Sequence, residues 1–187
     1  GGTELLEQRF YDDLIRHRLA PILNLEPNSP EVIRYLSRMR EQGLSAFAIG
    51  LHSGSFDSNW PDDPEALARL QPLYRGYAAQ LREAGLLDRH YIYTFDEPPP
   101  GLPKVADIAR MIHAADPQLK NLVTLEESPN VEKLKAWFED VDIVCLRNVT
   151  FDPAQAEKLK QMGKEIWIYV SGPSPPYPTL VLDYPAM

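Results

Sequence analysis

A chain of 187 residues, 44% hydrophobic and 25% charged, is long enough for one well-buried core and too short for two large domains. Its formal net charge of -8 comes from acids spread along the chain, with no basic run, which argues against a nucleic-acid partner. No stretch approaches the roughly 18 unbroken apolar residues of a membrane span, so no membrane partner is expected, and one cysteine, Cys145, cannot form a disulfide within the chain.

The opening Gly1-Gly2-Thr3-Glu4 has neither the charged nor the apolar region of a signal peptide. Residues Leu5–His17 place Leu6, Phe10, Leu14 and His17 at helical spacing. The short apolar run Leu19–Leu25 follows and ends at Glu26-Pro27. Ser29-Pro30 then opens a helix over Glu31–Gln42, with proline where a missing N–H costs nothing and Gly43 as the left-handed stop. Ala46–Leu51 is the next strand, and a polar loop containing His52 and Trp60 leads to one long helix over Pro64–Ala84.

Four further strand-then-chain units follow. His90–Phe95 leads to a helix over Lys104–Ala115, and Asn121–Glu126 leads to one over Val131–Glu139. Asp142–Val149 leads to Pro153–Met162, and Glu165–Ser171 runs into a proline-rich tail. Cys145 sits in the apolar run Val141–Leu146 and reads as a buried small hydrophobe. Strands that alternate with helices of this length imply a parallel sheet with right-handed crossovers. There is no G-x-G-x-x-G or Walker sequence, which weakens the doubly wound nucleotide-binding sheet. Polar residues follow nearly every strand instead: Glu26, His52, Asp96 and Glu97, Glu126 and Glu127, Asn148, Ser171. A ring of functional groups from many strand ends is the habit of the α/β class of (β/α) TIM-type barrels. A complete barrel takes about 250 residues for eight strands. The expectation is therefore a single domain over 1–187, an incomplete barrel of about six parallel strands with helices outside, lacking its first and last strands. Such a sheet has open edges that invite homo-oligomerisation.

The densest chemistry lies in Tyr91–Pro100, YIYTFDEPPP. Alternation sends Tyr91, Tyr93 and Phe95 to one face of the strand and Ile92 and Thr94 to the other. Asp96 and Glu97 fall at its end, and Pro98 should push Glu97 into an extended conformation. Two adjacent carboxylates at a barrel mouth suit acid–base work, whereas the plainer role is a pair of acids ahead of a helix N-terminus.

YIYTFDEPPP resembles the Tyr-Ile-Tyr-x-x-Asp-Glu-Pro block of the glycoside hydrolase family 123 catalytic domain and the uncharacterised bacterial proteins grouped with it. Two weaker matches stand in the same order, LIRHRLAP (Leu14–Pro21) and YPTLVLDYPAM (Tyr177–Met187). The resemblance implies a hydrolase of β-linked N-acetylgalactosaminides that uses the sugar's own acetamido group. It gives Glu97 the acid/base role and Asp96 the orientation of the acetamido nitrogen. No cofactor and no metal is implied; the partner is a carbohydrate, and an extracytoplasmic location fits. A conventional nucleophile at the end of the last strand is missing, because Tyr169–Pro176 contains no acid. Glu26, His52, Trp60, Glu126, Asn148, Tyr169 and Tyr177 are candidates to contact sugar, Trp60 and Tyr177 by stacking. Trp60 has the alternative of pinning its loop, and Tyr169 that of packing in the core. Glu126 has the alternative of serving as a second catalytic carboxylate. Two other classes stay open: a metal-dependent sugar isomerase or aldolase built on Glu26, His52, Glu97 and Glu126, and a non-catalytic glycan-binding or assembly fragment.

Overall fold

The computed structural model of the chain describes residues 2–17, 20, 24–25, 29–49 and 60–170. Helix α1 (Gly2–Arg16) precedes a two-residue strand β1 (Asn24–Leu25), and α2 (Pro30–Glu41) leads into β2 (Phe47–Ile49). Two helices, α3 (Pro64–Ala68) and α4 (Gln71–Glu83), lie between β2 and β3 (His90–Phe95). Then come α5 (Pro103–Ala115), β4 (Asn121–Leu125), α6 (Lys135–Phe138), β5 (Ile143–Arg147), α7 (Pro153–Gln161) and β6 (Glu165–Tyr169). Among the described residues no helix is long and apolar enough to cross a membrane.

The six strands are all parallel and hydrogen-bonded in the order β1-β2-β3-β4-β5-β6. That order is itself diagnostic. A doubly wound sheet reverses direction once and leaves a switch point, whereas a right-handed crossover repeated without reversal stacks every helix on one face. Among the described residues the fold is an incomplete (β/α) barrel. Its helix-facing side carries Phe47, Ile49, Ile92, Phe95, Val123, Leu125, Val144 and Leu146, packed with residues of α2, α4, α5 and α7 into the main core. The opposite, inner face carries Leu122, Ile143 and Cys145 with Tyr91, Tyr93, Trp167 and Tyr169.

Local chemistry fixes the ends of the helices. Ser29 accepts the backbone N–H of Val32 at 3.2 Å and Asp152 accepts that of Ala154 at 2.8 Å, each satisfying an orphan donor. Gly43, at φ 109, and Gly163, at φ 81, follow α2 and α7 in a conformation that a side chain would strain.

Three sequence expectations need correction. The single helix over Pro64–Ala84 is two helices, because Pro72 has no N–H for the carbonyl of Ala68 and its ring would collide there. The helix over Val131–Glu139 is only one turn, Lys135–Phe138. Its approach is a chain of tight turns in which Leu134 N–H donates to the carbonyls of both Asn130 and Val131. Trp137 then anchors the turn by donating its indole N–H to the Leu102 carbonyl at 2.8 Å.

The third correction concerns β3. Its register against β4 runs Ile92 to Asn121, Tyr93 to Leu122, then Phe95 to Val123, so Thr94 is extra. This bulge turns Phe95 away from Tyr91 and Tyr93 and into the helix-side core, where it is fully buried. The next residue, Asp96, is thereby aimed at the inner face with the two tyrosines.

Candidate functional site

The C-terminal ends of β3, β4, β5 and β6 bring one polar cluster together. Tyr93 donates its hydroxyl to Asp96 Oδ1 at 2.6 Å. Thr124 on β4 donates to the same oxygen at 3.0 Å, and its Oγ1 also lies 3.1 Å from the Tyr93 hydroxyl. The same Thr124 oxygen accepts the backbone N–H of Glu97 at 2.9 Å. Asp96 is half-buried and Glu97 exposed. Asp96 Oδ2 and Glu97 Oε2 have no hydrogen-bond partner among the described residues. Burial and then the Asp96 hydrogen bond push the Tyr93 phenol well above its ordinary range, so it stays a donor.

Glu97 is not extended, contrary to the sequence expectation. At φ 50 it is in the left-handed region, the sole described residue other than glycine there. Proline at 98 disfavours the right-handed helical region for its predecessor. The Thr124 hydrogen bond, a buried Pro98 and a side-chain contact then hold the left-handed alternative. Such a conformation costs about 1–3 kcal/mol and persists where surroundings over-determine it, commonly at functional sites.

The side-chain contact is with Tyr169, whose hydroxyl donates to Glu97 Oε1. β3 and β6 are separated by β4 and β5, about 14 Å along a sheet whose strands are about 4.8 Å apart. The contact therefore requires the inner face to be concave, with its rim drawn together as in a barrel mouth. Arg147, opposite Tyr169 in the β5–β6 register, completes this rim by pairing with Glu126 at 2.7 Å. Thr150 locks the loop after β5 to the loop after β4 by donating to the Glu126 carbonyl. Deeper on the same face Tyr91 meets Trp167 edge-on, with ring centroids 5.2 Å apart. Cys145 is buried there, and burial pushes its thiol up to about 11, which keeps it protonated.

Of the sequence candidates, Asp96, Glu97, Glu126 and Tyr169 meet at this rim. Asn148 opens the one-turn helix Asn148–Thr150 that follows β5. It is half-buried, with Oδ1 lacking a partner among the described residues. Trp60 does not belong to the site. It is 2% exposed, belongs to the helix-side core, stacks on Tyr74 at 6.2 Å and donates to the Thr94 carbonyl at 2.8 Å. No ring face is left for a sugar. Glu26, His52 and Tyr177 lie outside the described residues.

Three residues of the cluster escaped the sequence reading: Tyr93, Thr124 and Arg147. Arg147 carried a usable signal, since it shares strand parity with Ile143 and Cys145 and so falls on the inner face. Thr124 carried the same signal, sharing parity with Leu122 near the C-terminal end of β4, whereas its hydrogen bonds to the β3 exit could not be read from β4 itself. Among the described residues no three His, Cys, Asp or Glu side chains are placed to hold a metal ion. A cleft of about 400 Å3 lies elsewhere, lined by residues such as Pro61, Leu67, Lys104 and Met111 of the helical layer. It contains none of the strand-end carboxylates, so it is separate from their chemistry.

No protein family matches the chain in sequence, and no curated protein does. Two solved structures show a partial likeness. One comes from a study of two fungal β-1,4-galactanases, with a TM-score of 0.48 at 18% identity, covering 83% of this chain and 61% of that one. The other is assigned as a glycerophosphoryl diester phosphodiesterase from Silicibacter pomeroyi DSS-3, with a TM-score of 0.46 at 14% identity, covering 75% of this chain and 44% of that one. The chain thus spans about three fifths of the first and less than half of the second. Neither likeness bears on chemistry.

Proposed function

We propose that the chain hydrolyses β-linked N-acetylhexosaminides, of the N-acetylgalactosamine type, by a substrate-assisted retaining mechanism. The substrate and mechanism are those that the resemblance of the YIYTFDEPPP block to glycoside hydrolase family 123 implies. The observation that carries the reading is the treatment of the two carboxylates. Each has one oxygen fixed by a tyrosine, Tyr93 on Asp96 and Tyr169 on Glu97, and one oxygen without a partner among the described residues at a concave rim.

In this mechanism Glu97 gives a proton to the glycosidic oxygen as the C1–O bond breaks. The acetamido carbonyl oxygen of the same sugar bonds to C1 from the opposite face, forming an oxazolinium. Asp96 Oδ2 accepts the acetamido N–H and offsets the positive charge of that ring. Water then attacks C1 as the oxazolinium C1–O bond breaks and the acetamido group is restored; the water loses a proton to the Glu97 carboxylate, and the product retains its configuration. No protein nucleophile is needed. General acid catalysis of this kind contributes about 10²–10⁴-fold. Glu97→Gln should lose that factor on a phenyl β-N-acetylhexosaminide, and full retained activity would remove the reading.

Glu126, held by Arg147 on the neighbouring strand end, favours one variant, a two-carboxylate glycosidase. Replacing the sugar's acetamido by hydroxyl separates them: the substrate-assisted rate collapses, the two-carboxylate rate does not. A non-catalytic assembly role draws on a different observation. On β6 and just past it, Ile168 and Val170 are 56% and 53% exposed, an apolar face on a strand with no further neighbour among the described residues. Homo-oligomerisation through that face is read by sedimentation, where Ile168→Lys should lower the associated fraction.

A further inference from the structure

The hydrogen bond between Tyr169 and Glu97 has a chemical asymmetry. A phenol donates one proton to one oxygen, here Oε1, and leaves Oε2 as the oxygen on which a transferable proton can sit. Burial first, and then the Glu97 hydrogen bond and charge, push the Tyr169 phenol far above its ordinary range. It is therefore a standing donor at any pH at which the protein works. Arg147, in register beside it, and Glu126 act on it in opposite senses and do not reverse this. The bond also ties β6 to the end of β3 across two strands, so the position of the last described strand is transmitted to the side chain of Glu97.

We infer that Tyr169 is a positioning residue that fixes Glu97 by Oε1 and thereby assigns proton delivery to Oε2. This rests on the reading of Glu97 as the acid/base. Tyr169 touches the carboxylate and not the bond being broken. Its loss should therefore change how well Glu97 works as an acid, leaving substrate affinity nearly unaltered.

The test compares wild type, Tyr169→Phe and Glu97→Gln on two aryl β-N-acetylhexosaminides. One has a poor leaving group, phenol, and one a good leaving group, dinitrophenol. Tyr169→Phe should lower kcat about tenfold or more for the phenyl substrate and much less for the dinitrophenyl one. KM should stay nearly constant, and the alkaline limb of the pH profile should move upward. An unchanged profile with an equal loss for both leaving groups overturns the inference while leaving the parent reading intact. Full activity in Glu97→Gln removes the parent reading instead. A second measurement needs no turnover: 13C-labelled tyrosine, with Tyr169 assigned by the Phe variant, is titrated in wild type and Glu97→Gln. Glutamine keeps an acceptor oxygen and removes the negative charge of Glu97, which should let Tyr169 ionise at lower pH. A titration that does not move overturns the inference whether or not any substrate is cleaved.

Discussion

Thr124 and Glu97 are joined by a 2.9 Å hydrogen bond from the Glu97 backbone N–H to the Thr124 hydroxyl, which pins a left-handed glutamate to the neighbouring strand. The same hydroxyl donates to Asp96 Oδ1, so one side chain governs both carboxylates. Thr124→Val keeps the shape and deletes the oxygen. It leaves a backbone donor unsatisfied and removes one hydrogen bond from Asp96. Stability should fall by about 1–3 kcal/mol, read from urea unfolding, and any hydrolytic activity should fall with it. Thr124→Ser restores the oxygen and should recover most of both, a result that distinguishes hydrogen bonding from packing.

Glu97 itself should be a site where function and stability pull apart. At φ 50 a glutamate bears a backbone cost of about 1–2 kcal/mol that glycine does not. Glu97→Gly gives back part of this gain by loosening the unfolded chain, by about 0.4–1 kcal/mol, and it loses the Tyr169 contact. The melting temperature should therefore hold or rise slightly while activity disappears. A large fall in melting temperature would mean that the left-handed turn is not strained.

The strand-end carboxylates and the sequential sheet could be read from the chain because both depend on patterns of short range. Aromatic alternation marks β3, the three prolines mark its exit, and alternating strands and helices mark the crossovers. What could not be read depends on partners distant in sequence. The bulge at Thr94 arises in the pairing of β3 with β4, and nothing in YIYTF announces it. It nevertheless decides which face Phe95 and Asp96 occupy. The left-handed turn at Glu97 depends on a hydroxyl 27 residues away. Trp60 is the reverse case, an aromatic in a polar, proline-rich loop that resembles a sugar platform until the Tyr74 ring and the Thr94 carbonyl are seen to cover it. Pro72, by contrast, stood in plain sight as a helix breaker.

Trp60 accordingly belongs to stability. Trp60→Ala removes a buried indole and orphans the Thr94 carbonyl, and should cost about 3–5 kcal/mol. Trp60→Phe keeps much of the packing against Tyr74 and loses the 2.8 Å hydrogen bond, so its cost should be nearer 1–3 kcal/mol. Both variants that remain folded should keep the wild-type preference among aryl glycosides. A changed preference would return Trp60 to the site.

Two histidines at the N-terminal ends of the strands predict opposite responses to pH. His90 is buried at the start of β3, and its Nε2 must accept, because the facing group is the backbone N–H of Lys120 at 3.0 Å. Nδ1 therefore carries the proton and donates to the Leu87 carbonyl at 2.5 Å. A second proton has no acceptor. Burial lowers its pKa from 6.5, and Lys120 adds to this, while the Leu87 carbonyl, Asp142 and Asp116 oppose it. His113 near the end of α5 lies 2.9 Å from Asp142 Oδ2, which raises its pKa from 6.5, with Asp140 assisting and burial and Lys164 opposing. A depressed folded pKa gives stability that is present above pH 6.5 and lost as pH falls. A raised one gives stability that is complete below pH 6.5 and lost as pH rises through the folded value. Unfolding midpoints measured from pH 5 to 9 should show this directly. The deficit of His90→Gln relative to wild type should shrink toward acid, and that of His113→Gln should shrink toward alkali. In wild type the two partly cancel, which flattens the profile around neutrality. Parallel deficits across the whole range would mean that neither ring changes its proton affinity on folding.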